Sequence, residues 1–423
     1  MRFKQSALSI RCRFTIAACA VLLTATVSAW AEKFTIAVIP DTQCYSAIFV
    51  PQPRGEDTFV QQMQYLVDKR EEKNLVFVTF VGDIVNMGEG RFAATKDTKA
   101  VTDSDPGWGY ILDPHVARIG EGHYATKAQD GIYYWDTRAE WDIANRSISI
   151  LGGSGIPFGM SPGNHDYDTY HDNLGLPLSL PGFPSFKPLR GGRTWDYYFG
   201  PASHYFSGKP WYGGSFNEGL NSYQFFTGGG KRFLHISFEM EPSQTVLDWA
   251  QKVIDANPGL PVVITTHEWL EPARDAKKER PNGYRVYFTG TDHLSPDEIW
   301  DRFVRKNPAI FLILCGHLYT EPVNGVSEGE NLRIDKNDAG YPVYQVLQDY
   351  QAQTVGPDGK PYSANGGAGW LRFIEFDTDT HKMHFYTYST LLGRYAGRDG
   401  YLSFGTAAHL SDFELDFPPQ LLK

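Results

Sequence analysis

Cysteine is scarce in this chain of 423 residues: there are four, and Cys12 and Cys19 fall in an N-terminal stretch with the features of a leader. The remaining two, Cys44 and Cys315, are too few for a disulfide framework. They could pair in an oxidising compartment, or each could be a small buried apolar residue. A surplus of cations is also missing. Lys and Arg number 39 against 49 Asp and Glu, a formal charge of −10. General affinity for DNA or RNA needs the opposite balance, because it works by displacing counterions from phosphates. Nucleic acid is therefore excluded as a partner. Beyond the leader no run is apolar enough to span a bilayer.

Several catalytic signatures are missing too. Gly228-Gly229-Gly230 is not followed by the Lys-Ser/Thr of a phosphate loop, and it precedes a strand, so it reads as a hairpin turn. Ser161, Ser222 and Ser237 lack the context of a nucleophile elbow. There is no internal repeat and no low-complexity tract, and nothing points to a protein partner.

What is present begins with the leader. Arg2, Lys4, Arg11 and Arg13 precede a mostly apolar run from Phe14 to Trp30. Ala29-Trp30-Ala31 then offers small residues at the two positions that a signal peptidase reads, with cleavage before Glu32. Residues 1–31 are predicted to be a signal peptide and 32–423 the mature domain, periplasmic or secreted and free of membrane. Four cations and no anions leave with the leader, so the charge moves from −10 to −14.

The mature chain alternates short apolar strands with amphipathic helices. Strands are predicted at 34–39, 75–81, 157–160, 233–238, 261–264 and 310–314. Helices are predicted at 58–70, 138–151 and 244–254. A fourth helix opens at the capping box Ser295-Pro296-Asp297-Glu298 and runs to Arg305. From Pro342 onward the helices stop, and 343–347, 371–376 and 383–388 read as antiparallel strands. The class is α/β with a β-rich C-terminal part. Insertions are expected at about 90–135 and 172–230. The second is dense in aromatics from Trp195 to Tyr212, which fits either a self-packed lobe or a wall of a substrate cleft.

The chemistry sits just after the buried strands. Asp41 and Gln43 follow the first and Asp83 the second. Asn164, His165 and Asp166 follow the third. His267 follows the strand at 261–264, and His317 the strand at 310–314. In α/β sheets ligands collect at the carboxyl ends of strands. One polar residue there could be chance, but five strand ends in succession point to one metal-binding site.

This order, with Gly82-Asp83, Gly163-Asn164-His165-Asp166, His267 and Gly316-His317, resembles the calcineurin-like metallophosphoesterases. The stretches Asn221–Glu239, Asp349-Tyr350-Gln351 and Gly366–Leu371 resemble secreted bacterial members. The resemblance implies a four-layer α/β/β/α sandwich of two mixed sheets. It implies that Asp83 bridges two metal ions, divalent or of mixed valence, drawn from Mn, Fe or Zn. Asn164, His267 and His317 would complete one metal site, with Asp41 and Gln43 in the other. His165 would face the leaving-group oxygen as general acid, or pin the phosphate, its ring oriented by Asp166. The activity implied is hydrolysis of a phosphomonoester or phosphodiester by a metal-activated hydroxide, on a small phosphorylated substrate. Gln43 and Tyr319 stand where the family places histidines. Tyr319 could ligate as phenolate or merely pack over the site. The altered half leaves an alternative, a mononuclear or catalytically degenerate protein that binds phosphorylated ligands without turnover.

Overall fold

The computed structural model describes residues 33–47, 54–86, 92–95, 125–127, 133–135, 138–167, 192–273, 280–281, 292–320, 328–352, 367–398 and 410–422. The leader and much of both predicted insertions lie outside these. Among the described residues no helix is long and apolar enough to cross a membrane.

The first apolar run forms β1 (Phe34–Ile39), followed by the short helix α1 (Gln43–Ser46), α2 (Arg54–Asp68), α3 (Arg70–Lys73) and β2 (Leu75–Phe80). Three short strands, β3 (Phe92–Thr95), β4 (Ala125–Lys127) and β5 (Tyr133–Trp135), pair with one another in the first insertion. Then come α4 (Arg138–Gly153), β6 (Phe158–Met160), α5 (Arg193–Phe199), β7 (Tyr212–Phe216), β8 (Asn221–Gly228), β9 (Lys231–Ser237), α6 (Gln244–Ala256) and β10 (Val262–Thr265). The chain continues through α7 (Pro296–Arg302), β11 (Ile310–Cys315), β12 (Glu330–Lys336), β13 (Pro342–Gln348), β14 (Trp370–Asp377), β15 (Lys382–Ser389), β16 (Arg394–Tyr395), β17 (Asp412–Asp416) and α8 (Pro419–Leu422).

The strands form two large mixed sheets. The first runs β16-β15-β14-β1-β2-β6, with β17 also on β15, and the second runs β12-β13-β11-β10-β9-β8-β7. Alternation along each strand sorts the core into three layers. Ile36, Val38 and Phe77 meet Phe233, Val263, Leu312 and Leu314 between the sheets. Ala37, Ile39, Val78 and Phe80 face outward onto Phe59, Met63 and Leu66 of α2 and Trp141 and Ile148 of α4. On the far side Ile264, Ile313 and Cys315 pack beneath Val246, Leu247 and Ala250 of α6. This is the predicted α/β/β/α sandwich.

Three expectations change, and one open alternative is settled. The three C-terminal strands do not form one antiparallel unit: β14 and β15 pair antiparallel in the first sheet, while β13 lies parallel to β11 in the second. Helices do not stop at Pro342, because α8 closes the chain. The predicted second insertion ends before 230, since β7 and β8 are regular strands of the second sheet. Its aromatics turn inward. Trp195, Phe199, Tyr205 and Phe206 are buried, with Tyr198 stacked on Trp141 and Tyr205 edge-on to Phe158, and Tyr197 is the exception at 78% exposed. The stretch is a packed lobe, because rings of this size gain more from burial than from exposure. Cys44 and Cys315 are both free.

A buried polar bridge crosses between the sheets beneath the strand ends. His235 on β9 meets Gln224 through Nδ1 at 2.7 Å and Thr265 through Nε2 at 2.8 Å. Thr79, on β2 of the opposite sheet, donates to Thr265 at 2.9 Å. The amide oxygen of Gln224 accepts, so Nδ1 carries the proton and Nε2 accepts from Thr265. Burial pushes the ring down to about 3, so it stays neutral where the unfolded chain would protonate it. A depressed histidine costs stability as pH falls, from about 6.5 down to about 3. Each pH unit in that window removes about 1.4 kcal/mol. Denaturant unfolding at pH 6.5 and pH 5 should therefore show about 2 kcal/mol more loss for wild type than for His235→Gln, which keeps polar partners without titrating. The same pH dependence in both proteins would refute this account.

Candidate metal centre

Three of the site residues are held in backbone conformations that side chains rarely adopt. Asp41, Asp83 and His317 have φ of 35°, 52° and 75°. Each lies where a strand gives way to a loop, and strain of roughly 1–3 kcal/mol per residue persists only where surroundings enforce it. Neighbouring glycines make the room. A Cβ on Gly82 would lie 2.5 Å from His267 Nδ1 and 2.8 Å from Gly163 N. One on Gly163 would strike Asp83, and one on Gly316 would strike Asp41 Oδ2. The loops after β1, β2, β6, β10 and β11 thus converge at a spacing that leaves no place for added carbons.

Asp83 is central. Its Oδ1 accepts from the His165 backbone at 3.0 Å and lies 3.2 Å from His267 Nε2. Its Oδ2 faces Gln43 Nε2 at 3.1 Å and His165 Nε2 at 3.8 Å. His267 Nδ1 meets the Val81 carbonyl at 2.9 Å, which fixes the proton on that nitrogen. The Nε2 lone pair then points at Asp83 Oδ1 and at Asn164 Oδ1, 3.1 Å away. Three electron-rich atoms directed at one point need a proton or a cation between them. Ligand atoms of Asp83, His267 and His317 all lie within 4.8 Å of one another. Asp41 accepts from the His317 backbone through Oδ1 at 3.1 Å, while its buried Oδ2 has no hydrogen-bond partner among the described residues. The residues present therefore fit a metal ion. Imidazole, amide oxygen and carboxylate together suit Mn, Fe or Zn.

The electrostatics agree. Burial, then the charges of Asp349 and Asp83, push Asp41 well above the usual carboxylate range. Burial acts on Asp83 in the same direction, but the charges of His267 and His165 overcome it and hold Asp83 low. Burial also opposes protonation of His267, yet the charge of Asp83 raises that ring. Burial lowers His317 well below the ordinary histidine value. Negative charge concentrated this way away from water is costly unless a cation offsets it.

Asp166 does not have the part expected of it. Its Oδ1 accepts from the amides of Ile84 and Val85 at 2.8 and 3.0 Å, and its Oδ2 from Gly163 at 2.8 Å. It ties the loop after β6 to the loop after β2. Burial and the charge of Asp83 raise it to about 7 against those amides. The orienting partner of His165 is the Asn86 carbonyl, 2.7 Å from Nδ1. Asn86 is held in turn by Glu140, a buried residue of α4 that accepts from its amide at 3.0 Å. Asn86 acts through its backbone, and Glu140 lies inside an amphipathic helix, so side-chain patterning gave no signal for either role. Tyr319, two residues past His317, is 39% exposed.

Asp349 and Gln351 also reach the site, from the carboxyl end of β13. Gln351 contacts Gln43, and its side-chain amide donates to Asp349 at 3.1 Å. Burial raises Asp349 to about 6. A parallel strand after position 340 would have signalled them, but that region reads as antiparallel.

Comparison with known proteins agrees with the strand-end chemistry. An uncharacterized protein of Bacillus subtilis (strain 168), YvnB, is 26% identical over 291 residues, 67% of this chain. The chain spans only 18% of the length of that relative. Among solved structures, GAP50, the anchor in the inner membrane complex of Plasmodium, aligns over 86% of each chain at 10% identity and a TM-score of 0.36, too distant to bear on function. Residues 34–321, which hold every strand end from Asp41 to His317, match the calcineurin-like phosphoesterase model, and the chain belongs to that family.

Proposed function

We propose that the protein hydrolyses a small phosphomonoester or phosphodiester at a centre of two metal ions. The observation that carries this is the convergence of Asp83, His267 and His317 ligand atoms within 4.8 Å, with His165 Nε2 on the same carboxylate. Asp83 would bridge, Asn164, His267 and His317 would hold one ion, and Asp41 and Gln43 would contribute to the second. Bound there, the ions supply Lewis-acid charge for phosphoryl oxygens and lower the pKa of a water to the neutral range. The chain supplies position and a proton. His165 Nδ1 donates to the Asn86 carbonyl, so a proton gained by the ring goes to Nε2, the nitrogen that faces the site. From there it can pass to the departing ester oxygen, while the Asp166 and Gly163 contacts keep the His165 loop in place. The N-terminal residues support an extracytoplasmic location, where small phosphate esters are the substrates within reach.

One observation favours the mononuclear alternative. Gln43, as placed, turns its amide nitrogen toward Asp83, and an amide nitrogen does not bind a cation. Chromogenic phosphomonoester and phosphodiester assays on metal-stripped protein decide between an enzyme and a protein that only binds phosphorylated ligands. Turnover should return on adding Mn²⁺, Fe²⁺ or Zn²⁺. Phosphate affinity without turnover under every metal would instead establish a binding protein.

A further inference from the structure

Six parallel strand ends, not five, open on the metal centre, and the sixth belongs to β13. It runs parallel to β11, so its carboxyl end emerges on the side that presents His317. Asp349 and Gln351 follow directly. Asp349 is fully buried, held by its amide to the Gly329 carbonyl at 2.7 Å, and its two oxygens accept from the Gln351 backbone and side-chain amides at 3.0 and 3.1 Å. Between them Tyr350 points the other way and anchors the turn. Its hydroxyl donates to Glu330 at 2.8 Å, and Arg372 donates to the same hydroxyl at 3.0 Å. Glu330 and Arg372 form a buried ion pair joining β12 of one sheet to β14 of the other.

The geometry around Gln43 shows what this turn is for. Gln43 Nε2 lies between Asp83 Oδ2, at 3.1 Å, and the Gln351 side-chain oxygen. Its own Oε1 is buried and has no partner among the described residues, and neither has Asp41 Oδ2. Amide nitrogen and oxygen are nearly equal in shape, so half a turn of this amide exchanges them. The turned amide sets the Gln43 oxygen against Asp83 Oδ2 and the Gln351 oxygen. Three oxygens so close repel unless a cation joins them. Ligands at right angles around an ion with bonds of about 2.1 Å lie about 3 Å apart, as the Gln43 and Asp83 atoms do.

We propose that Gln351 is a ligand of the second metal ion and Asp349 its supporting carboxylate, so that an oxygen-only site replaces the imidazoles that Gln43 and Tyr319 do not supply. This rests on the two-metal reading above and goes beyond it, by naming the residues of the altered half and the class of ion. Oxygen donors select Mn²⁺, Mg²⁺ or Ca²⁺, and the mixed site beside it takes Mn²⁺, Fe²⁺ or Zn²⁺. The half-turn of Gln43 is the change between the metal-free and the filled site.

The test is metal stoichiometry of the full chain, by calorimetric titration of the stripped protein with Mn²⁺ and by electron paramagnetic resonance. Wild type should bind two Mn²⁺ per chain with the spectrum of an exchange-coupled pair. Gln351→Leu and Asp349→Asn should each bind one, with an uncoupled spectrum. Gln351→Glu, which keeps an oxygen at the same reach, should bind two and so shows that the turn still folds. Tyr319→Phe should also bind two. Two coupled ions in Gln351→Leu would overturn the assignment, as would loss of the second ion in Tyr319→Phe. One ion in wild type would overturn it while leaving the His267 and His317 site intact. No ion in wild type would instead bring down the metal centre itself.

Discussion

Replacing Asp83 with Asn is expected to remove metal and hydrolysis together. The side chain keeps its size and one oxygen, so the amide of His165, 3.0 Å from Oδ1, retains an acceptor. What goes is the charge. Asp83 is the carboxylate nearest to His267, and it faces His165 and Gln43 as well. An amide cannot neutralise the two cations of the proposed centre, and its NH₂ would point a positive dipole at one of them. The loss should exceed the roughly 10–100-fold typical of removing an outer partner of a metal ligand. Metal content by elemental analysis and turnover of a chromogenic phosphoester should fall in the same preparation. A variant with stoichiometric metal and full activity would remove Asp83 from the centre. The folded state should survive, since the loops are also tied by Asp166 to Gly163, Ile84 and Val85.

The second large effect is expected at His165. His165→Ala should lower kcat by about 10²–10⁴ while sparing metal content, the usual worth of a positioned general acid. The ring faces the centre through Nε2 and is braced through Nδ1 by Asn86. The brace separates two explanations. If the ring delivers a proton, the loss should shrink for an ester whose leaving group is stable as an anion. Equal losses for good and poor leaving groups would show that the ring only positions phosphate. Glu140→Gln should give a milder version of the same pattern, because it still presents an oxygen to the Asn86 amide.

The strand ends that carry Asp41, Asp83, Asn164, His267 and His317 were all legible in the sequence by itself. Each follows a short apolar run, and a parallel strand buried on both faces has no other composition available to it. The amphipathic helices over Trp141 and Val246 were legible for the same local reason, a period of 3.6 residues.

Only the tertiary structure decided which strands lie side by side. Hydrogen bonding between strands uses backbone groups that every residue carries, so periodicity says that β13, β14 and β15 exist and not that β13 goes to the other sheet. That single partition brings Asp349 and Gln351 to the metal centre. The role of Asp166 was likewise hidden: the family resemblance implied that it orients the ring of His165, but a 3-10 turn over Asn164–Asp166 swings the carboxylate onto three amides. The brace on His165 is a backbone carbonyl, which no side-chain pattern records. Local chemistry is written residue by residue, whereas a site assembled from six strand ends depends on contacts between residues hundreds of positions apart.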